Sequence, residues 1–216
     1  MKKKQKKTAL IGLGFISAFV IWTVLLLLID VRPIGSQGSS VGFATLNEFV
    51  HQLTGVNMLL YTVTDWLGLV PIAVALGFAV LGLCQWIRRK NLFQVDGNIL
   101  ALGVFYIAVM AIYALFELVV INYRPVLIEG ILEASYPSST TVLVSCVIPT
   151  SMMQLNFRIK SKPLRLLVNL AFCAFIAFAV LGRLFSGVHW FTDIIGGALI
   201  SAGLVLLYAS YFYSNQ

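Results

Sequence analysis

His189 and Asp193 stand four residues apart and carry the most suggestive chemistry in this chain. On a helix that spacing puts both on one face. A carboxylate beside an imidazole fixes its tautomer and supports its positive form, which prepares a histidine as a nucleophile or base. The plainer alternative is an interfacial histidine capped by an aspartate, and the pair alone does not choose. Arg183 precedes His189 by six residues, and Arg124 is followed by Pro125. Arginine presents a planar fork suited to phosphate oxygens. Snorkelling to lipid headgroups explains a single arginine well, but explains two near the same helix ends less well. Pro137-Ser138-Ser139-Thr140 opens an apolar run. A helix start there offers free N–H groups and a positive dipole end to an anion, or is simply capped by Ser138 or Ser139. Asp65 and Glu117 fall inside apolar runs, where a charge is costly and usually pairs or serves a site.

The elements that must position these residues are membrane helices. Hydrophobic residues make up 60% of the 216, charged residues 11%, and the mean hydropathy is +0.95. A water-soluble domain of this length could not hide that much apolar surface. Six apolar runs approach the roughly 20 residues that cross a hydrocarbon core: Thr8–Ile29, Leu59–Ile87, Ile99–Ile121, Ser139–Leu155, Leu164–Leu184 and Phe191–Tyr211. They are continuous rather than alternating, which argues against strands. The first follows a basic stretch, Met1–Lys7, and has no small-residue cleavage pattern after it, so it reads as an uncleaved helix. The second is long enough to tilt or to have an interfacial end, and the fourth is short. Arg124 is expected at the end of the third, where Pro125 stops it.

Charge sets the expected orientation. Six spans put the N-terminal lysines, Arg88-Arg89-Lys90 and the Arg158–Arg165 cluster on one side, twelve of the fifteen basic residues. The opposite side keeps Arg32, Arg124 and Arg183. The positive-inside rule then places both termini in the cytoplasm of a multi-pass cell-membrane protein and the polar helix ends on the non-cytoplasmic side. The net charge of +7 is clustered between apolar runs, which argues against a nucleic-acid partner. Between Asp30 and Met58, Gly35–Ser40 reads as flexible coil, and Ala44–Leu53 as an amphipathic helix in the interface. Cys84, Cys146 and Cys173 read as buried apolar residues, and no metal-ligand spacing or cofactor motif appears. The whole chain reads as one membrane domain.

In order and spacing, Arg124-Pro125, Pro137-Ser138 and the segment from Gly182-Arg183 to His189-Trp190-Phe191-Thr192-Asp193 resemble the three-part signature of the type 2 phosphatidic acid phosphatase (PAP2) superfamily. The Ile194-Ile195-Gly196-Gly197 continuation is also typical of it. The resemblance covers about residues 65–211 and implies an all-α bundle of six transmembrane helices with an outward site. It further implies that His189 attacks phosphorus, that Asp193 orients it, and that Arg124, Arg183, Ser138 and the backbone near Ser139 hold the phosphate. The partners so implied are the bilayer and a phospholipid or polyprenyl phosphate.

The chain departs from that signature at four positions. Glu117 stands where the family has a lysine, Ser139 where it has a glycine, Thr140 where it has a histidine, and Gly182 where it has a serine. Glu117 reverses a charge, and at seven residues from Arg124 it is expected on the same helical face. Thr140 is a poor acid, so the usual help to the leaving oxygen, typically worth about 10²–10⁴ in rate, is missing. A phosphomonoester needs that acid to expel an alkoxide, whereas a diphosphate expels a phosphate without it. The expected substrate is therefore a lipid diphosphate such as a polyprenyl diphosphate. Two alternatives stay open: a catalytically impaired relative that binds phosphorylated lipid or assists envelope assembly, and a small transporter binding a cation at Asp65 and Glu117. His51, in the outer loop on the expected interfacial helix, is either a solvated histidine or a substitute for the missing acid.

Overall fold

The computed structural model describes residues 2–214. Among them eight α-helices follow one another: α1 (Lys2–Leu28), α2 (Ala44–Thr54), α3 (Met58–Leu67), α4 (Leu69–Arg89), α5 (Gly97–Leu118), α6 (Ser139–Arg158), α7 (Lys162–Phe185) and α8 (Phe191–Phe212). By length and apolar composition, five stretches suit a membrane: α1, α3 with α4, α5, α7 and α8. Their outward faces are rich in apolar side chains, such as Leu28, Leu59, Leu76, Ile107, Leu118 and Leu167, as a lipid-facing surface requires.

The second apolar run folds as two helices that meet at Gly68, so that Asp65 sits in the last turn of α3. The fourth run is not short, since α6 has 20 residues. It lacks apolar bulk because it is the inner helix, packed against α4, α5, α7 and α8. Its buried Thr150 and Ser151 hydroxyls donate to the backbone at Cys146 and Val147, and Gln154 donates to the Tyr208 hydroxyl at 2.6 Å. Such internal partners are what polar groups need where no water reaches.

Counting α3 with α4 as one, successive spans alternate in direction, which gives the bundle two chemically different ends. At one end, Gln5 reaches the Tyr213 carbonyl, and Tyr208 and Gln154 meet the Asn98 carbonyl. The basic clusters gather at this end. The other end carries α2, the start of α3, the loop after α5 and the starts of α6 and α8. There α2 turns Phe49 and Leu53 outward and buries Asn47, which bonds Thr192 at the start of α8 in both directions. The Gly35–Ser40 stretch is a closed turn rather than flexible coil: Arg32 bridges to Val41, and Ser36 donates to the Pro125 carbonyl at 2.8 Å.

Candidate active site

The third run ends as helix at Leu118, so Arg124 lies six residues beyond α5 rather than at its end. Residues 122–135 form an irregular antiparallel hairpin. Tyr123 bridges to Ala134, Ile128 exchanges hydrogen bonds with Ile131, and Glu129-Gly130 turns the chain with positive φ at both residues. One arm delivers Asn122 and Arg124, the other Glu133 and Ser135. The expected helical face shared by Glu117 and Arg124 therefore does not exist. Glu117 is exposed near the end of α5, beside a small cleft also lined by Ser135 and Ser139. Arg124 pairs instead with Glu133 at 3.0 Å, and Arg183 with Asp65 at 2.5 Å. The first pair is in contact without the alignment of a hydrogen bond.

His189 precedes α8 by two residues and is buried with Asp193. Their closest atoms, Nδ1 and Oδ2, are 3.8 Å apart, too far for a direct hydrogen bond. Ser135 stands between them. Its hydroxyl donates to Asp193 Oδ2 at 2.5 Å and lies 3.1 Å from His189 Nδ1. A hydroxyl that spends its proton on the carboxylate must accept from the imidazole. This fixes the proton on Nδ1 and leaves the Nε2 lone pair free. Asp193 is held by two further donors, the Trp190 backbone N–H at 2.9 Å and Asn122 Nδ2 at 3.3 Å. Burial pushes the His189 pKa down to about 4, with the positive fields of Arg124 and Arg183 adding to it against the pull of Asp193. At neutral pH the ring is uncharged, as a nucleophile requires.

Both arginines lie within 6 Å of one ring: the guanidinium carbon of Arg183 is 4.9 Å and that of Arg124 5.8 Å from the Tyr61 centroid. Arg183 donates from Nε and Nη2 to the Thr140 hydroxyl at 2.9 and 2.6 Å. Thr140 thus accepts from Arg183 where a histidine was expected by resemblance. The first turn of α6 has no side-chain cap. Ser138 instead donates its N–H to the Asp193 carbonyl and accepts from the Thr141 hydroxyl. Gly197 eases this approach, because a Cβ there would stand a tight 3.0 Å from the Thr141 side chain. Among the described residues, five buried side-chain nitrogens have no hydrogen-bond partner: His189 Nε2, Arg183 Nη1, Arg124 Nε and Nη1, and His51 Nδ1 on α2. Unsatisfied buried donors and acceptors are costly and rare. Four of the five fall on His189 and the two arginines, an arrangement that a phosphoryl group with its developing charge would satisfy.

His51 lies on α2, the helix expected over Ala44–Leu53. It stacks obliquely on Trp190, with ring centroids 5.5 Å apart. Burial lowers its pKa, which disfavours it as an acid at neutral pH. The reading from sequence missed Ser135, Asn122, Tyr61 and Glu133. Glu129-Gly130 between aliphatic residues was the available signal for the hairpin that carries three of them. If Ser135 positions the imidazole, Ser135→Ala lowers kcat about 10–100-fold with little change in KM, as the loss of an orienting partner does at other sites. Steady-state kinetics in detergent checks this.

A family model described as the PAP2 superfamily matches residues 100–216, a stretch that takes in most of α5, all of α6 to α8 and every motif position from Glu117 to Asp193. No curated protein matches the sequence. Among solved structures, the chain is similar to "the first transmembrane PAP2 type phosphatidylglycerolphosphate phosphatase from Bacillus subtilis". The two are 18% identical with a TM-score of 0.59, over 94% of this chain and 95% of that one. At that identity the likeness speaks for the fold.

Proposed function

The chain belongs to the PAP2 superfamily, and from that premise we propose that it is a membrane lipid phosphatase or phosphotransferase that acts on a lipid-linked diphosphate through His189. The observation that carries the reading is the set of buried nitrogens on His189, Arg124 and Arg183 that have no hydrogen-bond partner. The Nε2 lone pair attacks the terminal phosphorus, the bond to the bridging oxygen breaks, and the lipid monophosphate leaves. The phosphoimidazolium keeps its Nδ1–H on Ser135, whose hydroxyl is anchored on Asp193. Water then attacks phosphorus, the N–P bond breaks, and the water protons leave with inorganic phosphate. Arg124 and Arg183 neutralise the transferring group, with Ser138 and the uncapped start of α6 beside them.

Thr140 supports the preference for a diphosphate. Its oxygen is bound to Arg183, and a hydroxyl cannot replace an acidic imidazole. An apolar groove of about 650 Å³ between α4 and α5 reaches Leu143, three residues beyond Thr140. It offers the hydrocarbon tail of such a substrate a place beside the bundle. The clustering of basic residues at the opposite end argues for a site facing away from the cytoplasm, with six spans and both termini inside. Against the transporter reading stands the pairing of Asp65 with Arg183. The impaired-relative reading draws on the same Thr140 and predicts binding without turnover. Phosphate release from purified protein on matched lipid mono- and diphosphates separates them. The proposal expects the diphosphate to be hydrolysed at least about tenfold faster, since a monoester leaving group lacks its acid. Faster hydrolysis of the monophosphate would contradict the preference, and no turnover of either would favour the impaired relative.

A further inference from the structure

The departure at Gly182 has a structural counterpart on α3. A Cβ at Gly182 would stand 2.5 Å from Thr64 Cγ2, closer than real contacts allow, so the bare glycine is what lets α3 rest against α7. Thr64 is fully buried in that contact. The next residue on each helix is a charge, Asp65 on α3 and Arg183 on α7, and the close approach brings them to 2.5 Å. The two side chains differ sharply in environment: that of Arg183 is 2% exposed, that of Asp65 56%. A water-accessible carboxylate therefore covers one arm of a buried guanidinium, while Nη1 of the same group has no partner.

We infer that Asp65 is a carboxylate latch: it holds the Nη2 arm of Arg183 beside the unpartnered Nη1, and a phosphoryl group that grips both arms of that edge must displace it, so that Asp65 sets the selectivity of the site for the more highly charged phosphate. This rests on the reading of the arginines as a phosphate cradle. A carboxylate on Nη2 gives the guanidinium the kind of contact a phosphate oxygen would give. The exchange releases one unit of negative charge from Arg183 and installs a larger one. A diphosphate competes for the arm better than a monophosphate does. Being more than half exposed, Asp65 can turn to solvent at little cost, whereas the buried arginine has nowhere to go.

Purified protein in detergent micelles is titrated calorimetrically with inorganic phosphate and with inorganic diphosphate, so the readout does not depend on turnover. Asp65→Asn is expected to tighten phosphate binding about tenfold, the effect of removing one competing charge at close range in a partly solvated site. It is also expected to narrow the preference for diphosphate over phosphate. Gly182→Ala, which moves α3 off α7 while keeping the charge of Asp65, is expected to tighten phosphate as well. Combined with Asp65→Asn it adds nothing further, because both act through one contact. Unchanged or weaker phosphate binding by Asp65→Asn overturns the latch, and Asp65→Ser repeats the test should the first variant fold poorly. If neither the native protein nor any variant binds either anion, the phosphate cradle itself is wrong and the latch falls with it.

Discussion

Replacing His189 with alanine is expected to lower kcat on a lipid diphosphate by about four orders of magnitude or more, the loss typical when a nucleophile is removed from a preorganised site. The expectation follows from how the residue is held. Its Nδ1 side is committed to Ser135, and its Nε2 side faces no protein partner. The substitution therefore removes the attacking atom without untying either arginine, and KM changes little. A buried imidazole also fills space, so the variant is compared with His189→Gln, which keeps more of the volume. Both must retain a native-like elution profile in detergent. If either folded variant keeps more than about one-hundredth of the native rate, His189 is not the nucleophile.

Arg183→Lys is expected to reduce kcat/KM by about 10²–10³, comparable to losing one well-placed donor to a developing oxyanion. Charge is conserved, so the loss isolates geometry. The guanidinium does three things at once: Nε and Nη2 hold Thr140, Nη2 meets Asp65, and Nη1 is left for a ligand. A single ammonium cannot span those positions. Because Tyr61 backs the guanidinium at 4.9 Å, a flexible lysine also loses a flat surface that fits the arginine plane. A lysine variant that matches the native enzyme would mean that Arg183 contributes only charge.

Much of the fold was legible because lipid imposes one strong rule: apolar runs of spanning length become helices. The starts of α6 and α8 fall where Ser139 and Phe191 were expected, since proline, serine and aspartate mark helix entries directly. The misplacement of Arg124 has an equally local cause. The apolar run continues through Val119, Val120 and Ile121, yet helix stops at Leu118, and hydropathy cannot tell a helical valine from one leaving the helix. The hairpin beyond it carries the largest consequences. It separates Glu117 from Arg124 and brings in Glu133 and Ser135.

The candidate site was legible only along the chain. His189, Asp193, Arg124 and Arg183 stand out by type and spacing. Ser135, Asn122 and Tyr61 do not, because a serine, an asparagine and a tyrosine near helix ends are ordinary until tertiary contact gives them partners. Glu117 illustrates the converse. Its charge made it conspicuous in the sequence, but the carboxylates that touch the arginines are Asp65 and Glu133. Gly182 likewise looked like a lost serine and proves to lie against Thr64, where α3 packs on α7.

The most direct test of the account is to trap the covalent step. Purified protein is mixed with a lipid diphosphate for a fraction of one turnover, quenched in alkali, where a phosphoimidazole survives, and digested for mass spectrometry. The account predicts one added phosphoryl group on the peptide containing His189, absent from His189→Gln and chased away by further incubation with water. Phosphate release that proceeds at the native rate with no phosphoryl group on His189 at any time would contradict it.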